Sequence, residues 1–229
     1  MEAIVLAGGL GTRLKEMVPD LPKPMALVAG KPFMAILLRS LSKRGFTYVV
    51  LSLGFMAEKF MDYFGDRYAN MKLEYEVEPQ PLGTGGAIRK ALRKCTTDHV
   101  FVFNGDTYLD LEVDEVEKLW HANQNPIIVL REVSDTARYG NVEIKDGRII
   151  AFREKGQTGC GLINAGCYVL PREALDDFPK EKFSLENDYL ASVLNKVKFD
   201  AFVTRGYFID IGVPEDFMRA QKELSQVFR

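Results

Sequence analysis

Through the first half of the chain, short apolar runs and stretches with helical spacing alternate about every twenty residues. Ala3-Ile4-Val5-Leu6, Tyr48-Val49-Val50-Leu51, His99-Val100-Phe101-Val102-Phe103 and Ile127-Ile128-Val129-Leu130 are nearly continuous apolar runs. That is the pattern of strands buried on both faces. Leu73-Glu74-Tyr75-Glu76-Val77 alternates instead and predicts a further strand. Between the runs, apolar spacing predicts helices over 32–44, 57–64, 87–94 and 113–123, with Gly45 closing the first. Regular alternation of this kind predicts a mainly parallel, doubly wound α/β sheet with helices on both faces.

The second half changes character. Residues 142–152 predict a hairpin turning at Asp146-Gly147. Strands are expected over 166–170 and 199–204, and a helix over 183–194. The chain closes on an amphipathic helix with Pro214 in its first turn and Phe217, Ala220, Leu224 and Val227 as its apolar stripe. No internal repeat, low-complexity tract or long linker interrupts the sequence. The expectation is one domain over 1–229, in which 136–229 forms a small mixed lid and the closing helix beside the 1–135 half.

Composition and charge narrow the function. Thirty Lys and Arg against 32 Asp and Glu give a net charge of −2. This excludes the broad basic surface that nucleic-acid or membrane binding requires, so any phosphate site is local. The cysteines Cys95, Cys160 and Cys167 form no CxxC pair and are not spaced to join His99 or His121 in a metal site. They are expected to be reduced thiols, with His99 structural and His121 on the surface. There is no basic leader segment and no apolar run of membrane-spanning length, so a cytoplasmic protein is expected. A homo-oligomer is compatible with these numbers.

The candidate chemistry begins where the first strand ends. Leu6-Ala7-Gly8-Gly9-Leu10-Gly11-Thr12-Arg13-Leu14 lets the backbone turn tightly with few Cβ atoms in the way. Arg13 and Lys23, the latter held in Pro22-Lys23-Pro24, add fixed positive charge. Backbone amides beside an Arg and a Lys suit a polyphosphate. The loop is not a dinucleotide fingerprint, because Leu14 stands where the third glycine is needed and Ser52-Leu53-Gly54 ends the second strand without an acid. It also lacks the Gly-Lys-Ser/Thr of a P-loop. Asp106 and Asp210 each end an apolar strand beside a glycine. Singly, such an Asp more often forms a turn or a cap. Read together with a phosphate loop, the two suit Mg²⁺, which takes one or two carboxylates plus substrate phosphates. In Pro79-Gln80-Pro81-Leu82-Gly83-Thr84-Gly85-Gly86, Gln80 can read a base edge, although such a glutamine alone more often belongs to a surface loop. Tyr139-Gly140, Glu154-Lys155 and Asn164 are polar positions at strand ends or turns, and Glu154 and Lys155 read equally well as solvated surface charges. No Ser-His or Cys-His set suited to nucleophilic catalysis is evident.

These motifs resemble the signature of the sugar-1-phosphate nucleotidylyltransferases. The opening loop with Pro22-Lys23-Pro24, then Pro81-Leu82-Gly83-Thr84-Gly85-Gly86-Ala87, then Asn104-Gly105-Asp106, match its landmarks in order. The resemblance implies a GT-A-like (Rossmann-like) fold and Mg²⁺-dependent transfer of a nucleoside monophosphate to a sugar 1-phosphate. It implies that Leu6, Ala7, Gly8, Gly9, Gly11, Thr12, Arg13 and Asp106 bind the nucleotide, with Gln80 and Gly85 at its base. It implies Arg13 and Lys23 as the catalytic cations, and Asp106 and Asp210 as the metal ligands. Gly140, Glu154, Lys155 and Asn164 would serve the sugar phosphate, with 1–135 the nucleotide-binding half and 136–229 the sugar-phosphate half.

Within the family, Gly161-Leu162-Ile163-Asn164-Ala165-Gly166, Phe183-Ser184-Leu185-Glu186 and Tyr207-Phe208-Ile209-Asp210-Ile211-Gly212 are most similar to D-glycero-α-D-manno-heptose 1-phosphate guanylyltransferases. That implies GTP as donor, a GDP-heptose as product and a role in bacterial surface glycans. Relatives acting on N-acetylmuramate, glucose or mannose 1-phosphate share most of these residues and remain alternatives. So do a glycosyltransferase, which typically carries a D-x-D metal motif where this chain has Asn104-Gly105-Asp106, and a non-catalytic sugar-nucleotide-binding homologue, which usually loses the signature Arg, Lys or Asp retained here.

Overall fold

A computed structural model describes residues 1–9, 11, 14, 17–153, 156 and 158–225. Its centre is a ten-stranded sheet in the order β10-β11-β13-β9-β12-β7-β1-β4-β6-β5. The first half contributes β1 (Glu2–Ala7), β4 (Tyr48–Leu53), β5 (Arg67–Tyr68), β6 (Met71–Val77), β7 (His99–Asn104) and β9 (Ile127–Val133). The second adds β10 (Val142–Lys145), β11 (Arg148–Phe152), β12 (Gly161–Pro171) and β13 (Asp200–Thr204). Following the pairings along the sheet, β6, β4, β1, β7, β9, β13 and β10 run one way and β5, β12 and β11 the other. The sheet is therefore mostly parallel, as the alternation predicted. The mixed elements of the second half extend it, with β12 antiparallel between β7 and β9.

The apolar runs are continuous because each strand buries both faces. Ala3, Val5 and Ala7 of β1 join a core with α1 (Phe33–Lys43), α2 (Ala57–Phe64) and α4 (Val113–Asn123). Ile4 faces the other way, into a core with Ile88, Ala91 and Leu92 of α3 (Gly83–Leu92) and with Leu185, Tyr189 and Leu190. Helix α1 begins at Phe33 because Pro32, with φ −52° and ψ 135°, is its cap.

The structure departs from the sequence expectation in two helices and two ribbons. α3 begins four residues earlier than the predicted 87, inside the glycine loop, because the 181–183 segment packs against its first turn. The helix expected over 183–194 is a π-helical turn, Leu185–Leu190, followed by the short α5 (Ala191–Val193), with the Ser184 side chain accepting from the Asn187 amide. Two short ribbons were not foreseen as paired strands: β2 (Leu27–Val28) with β3 (Lys31–Pro32), and β8 (Thr107–Leu109) with β14 (Phe208–Asp210), the strand that ends at Asp210. A third, smaller core seats the second ribbon. Tyr108, Ile209 and Ile211 pack with Leu14, Phe33 and Ile36 under the closing helix α6 (Pro214–Glu223). Phe217, Ala220 and Leu224 of the predicted stripe are buried there, while Val227 lies outside the described residues. Among the described residues, no helix is long and apolar enough to cross a membrane.

Candidate active site

Strand order sets the location of the site. β1 lies between β4 and β7, parallel to both, and the chain winds outward through β4 and β6 before returning to β7. A crevice opens at the carboxyl ends of strands where the winding reverses. A cleft of about 410 Å³ occupies this point. Leu6, Ala7, Gly8, Gly9 and Gly11 line one side of it, and Asp106, just past β7, lines it as well. Gly11 has φ +59°, and a Cβ there would come within 2.8 Å of the Lys23 Cβ, so only glycine lets the loop lie against that lysine. Thr12 and Arg13 lie outside the described residues.

Lys23 opens a single 3₁₀ turn, Lys23–Met25, capped by Pro22. The flanking prolines fix the backbone, and the side chain is only 10% exposed. Its Nζ stands 2.6 Å from Asp106 Oδ2 and 3.9 Å from Asp210 Oδ1. The β8–β14 ribbon is what brings those carboxylates together, since Asp210 pairs with Thr107. The Ile211 amide donates to the Asp106 carbonyl (2.9 Å), and the Gly212 amide donates to Asp210 Oδ1 (2.6 Å). Both Asp residues remain partly accessible, 35% and 25%.

This donor set fits a hard divalent cation. Two carboxylates converge on one point, and a Cβ on Gly212 would lie 2.8 Å from Asp210 Oδ1 and 3.2 Å from Lys23 Nζ, filling the cradle. Among the described residues, no cluster of three or more acidic, His or Cys side chains could hold a metal. Two protein carboxylates, with substrate oxygens completing the shell, match the way Mg²⁺ is usually held.

A second cavity, about 530 Å³, adjoins the first. Asn104 lines both, Asp106 lines the first and Asp210 the second, so the two spaces meet at the carboxylate pair. Gly140 and Asn164 line the second cavity, as does Tyr139, whose phenol is pushed up from its ordinary pKa by burial and then by the Asp210 charge. Glu154 and Lys155 lie outside the described residues.

The loop read as base-contacting is placed in two parts. Gln80 is exposed, next to Pro81 on the cleft wall. Gly85 is buried away from the cleft lining, and its amide donates to the Phe183 carbonyl at 3.0 Å. A Cβ on Gly85 would run into the Phe183 ring, so a packing requirement accounts for this glycine. Gly85→Ala is expected to cost about 1–3 kcal/mol in urea unfolding, and less in a Phe183→Leu background. Equal stability of Gly85→Ala and wild type would show that this contact is loose.

Sequence reasoning missed several lining residues. Glu78 lines the first cleft just beyond β6, accepting from the Leu82 amide at 2.9 Å and the Ser52 hydroxyl at 3.3 Å. Its place after a predicted strand was the available signal. Tyr168 and Glu186 line the second cavity, where their hydrogen bond is 2.7 Å. His99 is structural, as expected, held between Asp98 and Glu117 and stacked on Trp120.

The family model for nucleotidyl transferases matches residues 2–227. The chain belongs to the nucleotidyl transferase family. It is 42% identical over 226 residues to D-glycero-alpha-D-manno-heptose 1-phosphate guanylyltransferase of Aneurinibacillus thermoaerophilus, covering 98% of each chain. It is 40% identical to the enzyme of that name from Campylobacter jejuni, covering 95% of this chain and 97% of the relative. Two crystal structures of HddC from Yersinia pseudotuberculosis superpose with TM-scores of 0.90 and 0.89 at 39% identity, covering 97% of this chain and 99% of theirs. The second is a complex with GMP-PN. Membership of this family and the GT-A-like fold of these neighbours agree with the resemblance read from the motifs.

Proposed function

We propose that the protein transfers the guanylyl group of GTP to D-glycero-α-D-manno-heptose 1-phosphate, releasing pyrophosphate and forming a GDP-heptose. The observation that carries this reading is the meeting of two cavities at Lys23, Asp106 and Asp210. The choice of GTP and heptose rests on the two relatives of that name and on the HddC complex with GMP-PN.

In this reading Leu6, Ala7, Gly8, Gly9 and Gly11 hold the nucleotide in the first cleft, with Gln80 and the loop after it at the base, and Thr12 and Arg13 also serve the nucleotide. Gly140 and Asn164 hold the sugar phosphate in the second cavity, and the reading gives Glu154 and Lys155 the same substrate. An oxygen of the acceptor phosphate bonds to the α-phosphorus, and the bond from that phosphorus to the pyrophosphate oxygen breaks. The attacking oxygen is already anionic, so no general base is required. The protein's contribution is alignment and positive charge beside the reacting phosphates, supplied by Arg13 and Lys23. Asp106 and Asp210 would hold Mg²⁺, which neutralises phosphate charge when bound there. The reading places the enzyme in the cytoplasm, where GTP is supplied, as a source of activated heptose for a bacterial surface polysaccharide.

The test is a pyrophosphate-release screen of the four NTPs and dTTP against heptose, mannose, glucose and N-acetylmuramate 1-phosphates. The expected result is a kcat/KM for GTP with the heptose at least about tenfold above every other pair. Turnover of UTP with N-acetylmuramate 1-phosphate, and none of GTP with the heptose, would overturn the substrate choice and leave the chemistry standing.

A further inference from the structure

An unbroken series of side-chain hydrogen bonds runs from the wall of the first cleft to the wall of the second. Thr84, in the first turn of α3, lines the first cleft. Its hydroxyl donates to Glu186 Oε2 at 3.1 Å and accepts from the Leu185 amide at 2.8 Å. Glu186 Oε1 accepts from the Tyr168 hydroxyl at 2.7 Å, and that hydroxyl accepts from Asn164 Nδ2 at 2.6 Å. Asn164 Oδ1 accepts from the Gly166 amide at 2.9 Å. Glu186, Tyr168 and Asn164 all line the second cavity.

Each member has its polarity set by its neighbours. A carboxylate only accepts, so Thr84 and Tyr168 must both donate to Glu186. Tyr168 is fully buried, and burial followed by the nearby Glu186 charge pushes its pKa well up, so it keeps its proton. Its oxygen is then an acceptor for Asn164, whose amide is fixed because the Gly166 amide needs the carbonyl side. A register shift in β12 between Asn164 and Cys167 lies at the Asn164 end of this series.

The backbone around the series leaves little room for slippage. The Phe183 amide donates to the Leu82 carbonyl at 2.9 Å, and the Gly85 amide donates back to the Phe183 carbonyl. A Cβ on Gly86 would lie 2.6 Å from the Glu181 carbonyl oxygen. A second route reinforces the first. A Cβ on Gly166 would lie 2.6 Å from Asn104 Nδ2, and Asn104 lines both cavities. The α3 first turn, Glu186 and Asn164 are thus held to one another by these contacts. Tightly packed elements move together in this way because interiors transmit strain.

We infer that Glu186 is a positioning residue that couples the two cavities, so that nucleotide seated against Thr84 tightens the grip of Asn164 and Tyr168 on the sugar phosphate. The inference rests on the proposed assignment of nucleotide to the first cleft and sugar phosphate to the second. Glu186→Gln replaces one acceptor oxygen with an amino group, so a hydroxyl among Thr84, Ser184 and Tyr168 loses its acceptor and must reverse its polarity, which weakens the series at that link. Thr84→Val breaks the link from the other end, and Thr84→Ser retains it.

The experiment is calorimetric titration of heptose 1-phosphate into the full chain with Mg²⁺, with and without saturating α,β-methylene GTP. Wild type is expected to bind the sugar phosphate at least fivefold tighter with the analogue, within the usual range for coupled sites. In Glu186→Gln and Thr84→Val that ratio is expected to fall below twofold, and in Thr84→Ser to return. A merely structural role would weaken both affinities and leave the ratio intact. Absence of the ratio in wild type, or its survival in both Glu186→Gln and Thr84→Val, would overturn the inference. If one of these variants does not fold, the other decides against wild type. If heptose 1-phosphate does not bind wild type, the substrate reading fails. The same ratio is then measured with mannose 1-phosphate and glucose 1-phosphate, and its absence with every sugar phosphate overturns the coupling too.

Discussion

Lys23→Met is expected to lower kcat by about 10²–10³-fold while changing the affinity for GTP by less than about tenfold, as befits a charge used mainly in the transition state. Methionine matches the length of lysine closely and removes its charge. The prediction follows from where the ammonium stands. It is 2.6 Å from Asp106, 3.9 Å from Asp210 and largely shielded, so its field at the junction of the two cavities is not spread through bulk water. Negative charge on the pentacoordinate phosphorus and on departing pyrophosphate develops at that junction in the proposed reaction. A second consequence concerns stability. With Lys23 gone, Asp106 and Asp210 lose the ammonium that both approach, so Mg²⁺ should raise the melting temperature of the variant more than that of wild type. Single-turnover rates within about threefold of wild type would remove Lys23 from the reaction centre.

The parts of this site that were legible in the sequence are those carried by local pattern. Gly8, Gly9 and Gly11 follow a continuous apolar run, and Lys23 stands between two prolines. The strand-end position of Asp106 could also be read, because burial of both sheet faces makes β7 unmistakable as an apolar run, and Asp210 follows the shorter apolar run Phe208-Ile209. Their meeting could not be read. The ribbon that joins them has three residues in each strand, too short for periodicity to register, and its partners lie far apart in the chain. The start of α3 was hidden for a related reason. Gly83, Gly85 and Gly86 are poor helix formers, and contact with Phe183 and Glu181, remote in sequence, decides the matter. Glu186 and Tyr168 look like ordinary polar positions until the fold brings Thr84 and Glu186, 102 positions apart, within a hydrogen bond.

Asp210→Asn separates two explanations of the carboxylate pair. Asparagine keeps the shape, and its amide oxygen can still accept from the Gly212 amide, so the ribbon should fold with a melting temperature close to wild type. In the proposed metal site the variant removes one of two hard anionic ligands, with substrate oxygens left to complete the shell. Loss of even a supporting residue at a metal site costs about 10–100-fold in affinity, so the Mg²⁺ concentration for half-maximal activity should rise by at least about tenfold. With less charge to neutralise the phosphates, kcat should fall by about 10²-fold or more at saturating nucleotide. If the two aspartates served only to hold Lys23, the outcome would differ. Asp210 is the more distant partner, at 3.9 Å against 2.6 Å for Asp106. Asp210→Asn would then be nearly silent, and Asp106→Asn alone would reproduce the kinetic effect of Lys23→Met. A metal site instead makes both aspartate variants sensitive to Mg²⁺, with the deficit shrinking as Mg²⁺ is raised, whereas Lys23→Met keeps its deficit at every Mg²⁺ concentration. An Mg²⁺ activation curve for Asp210→Asn that overlays the wild-type curve would overturn the metal assignment.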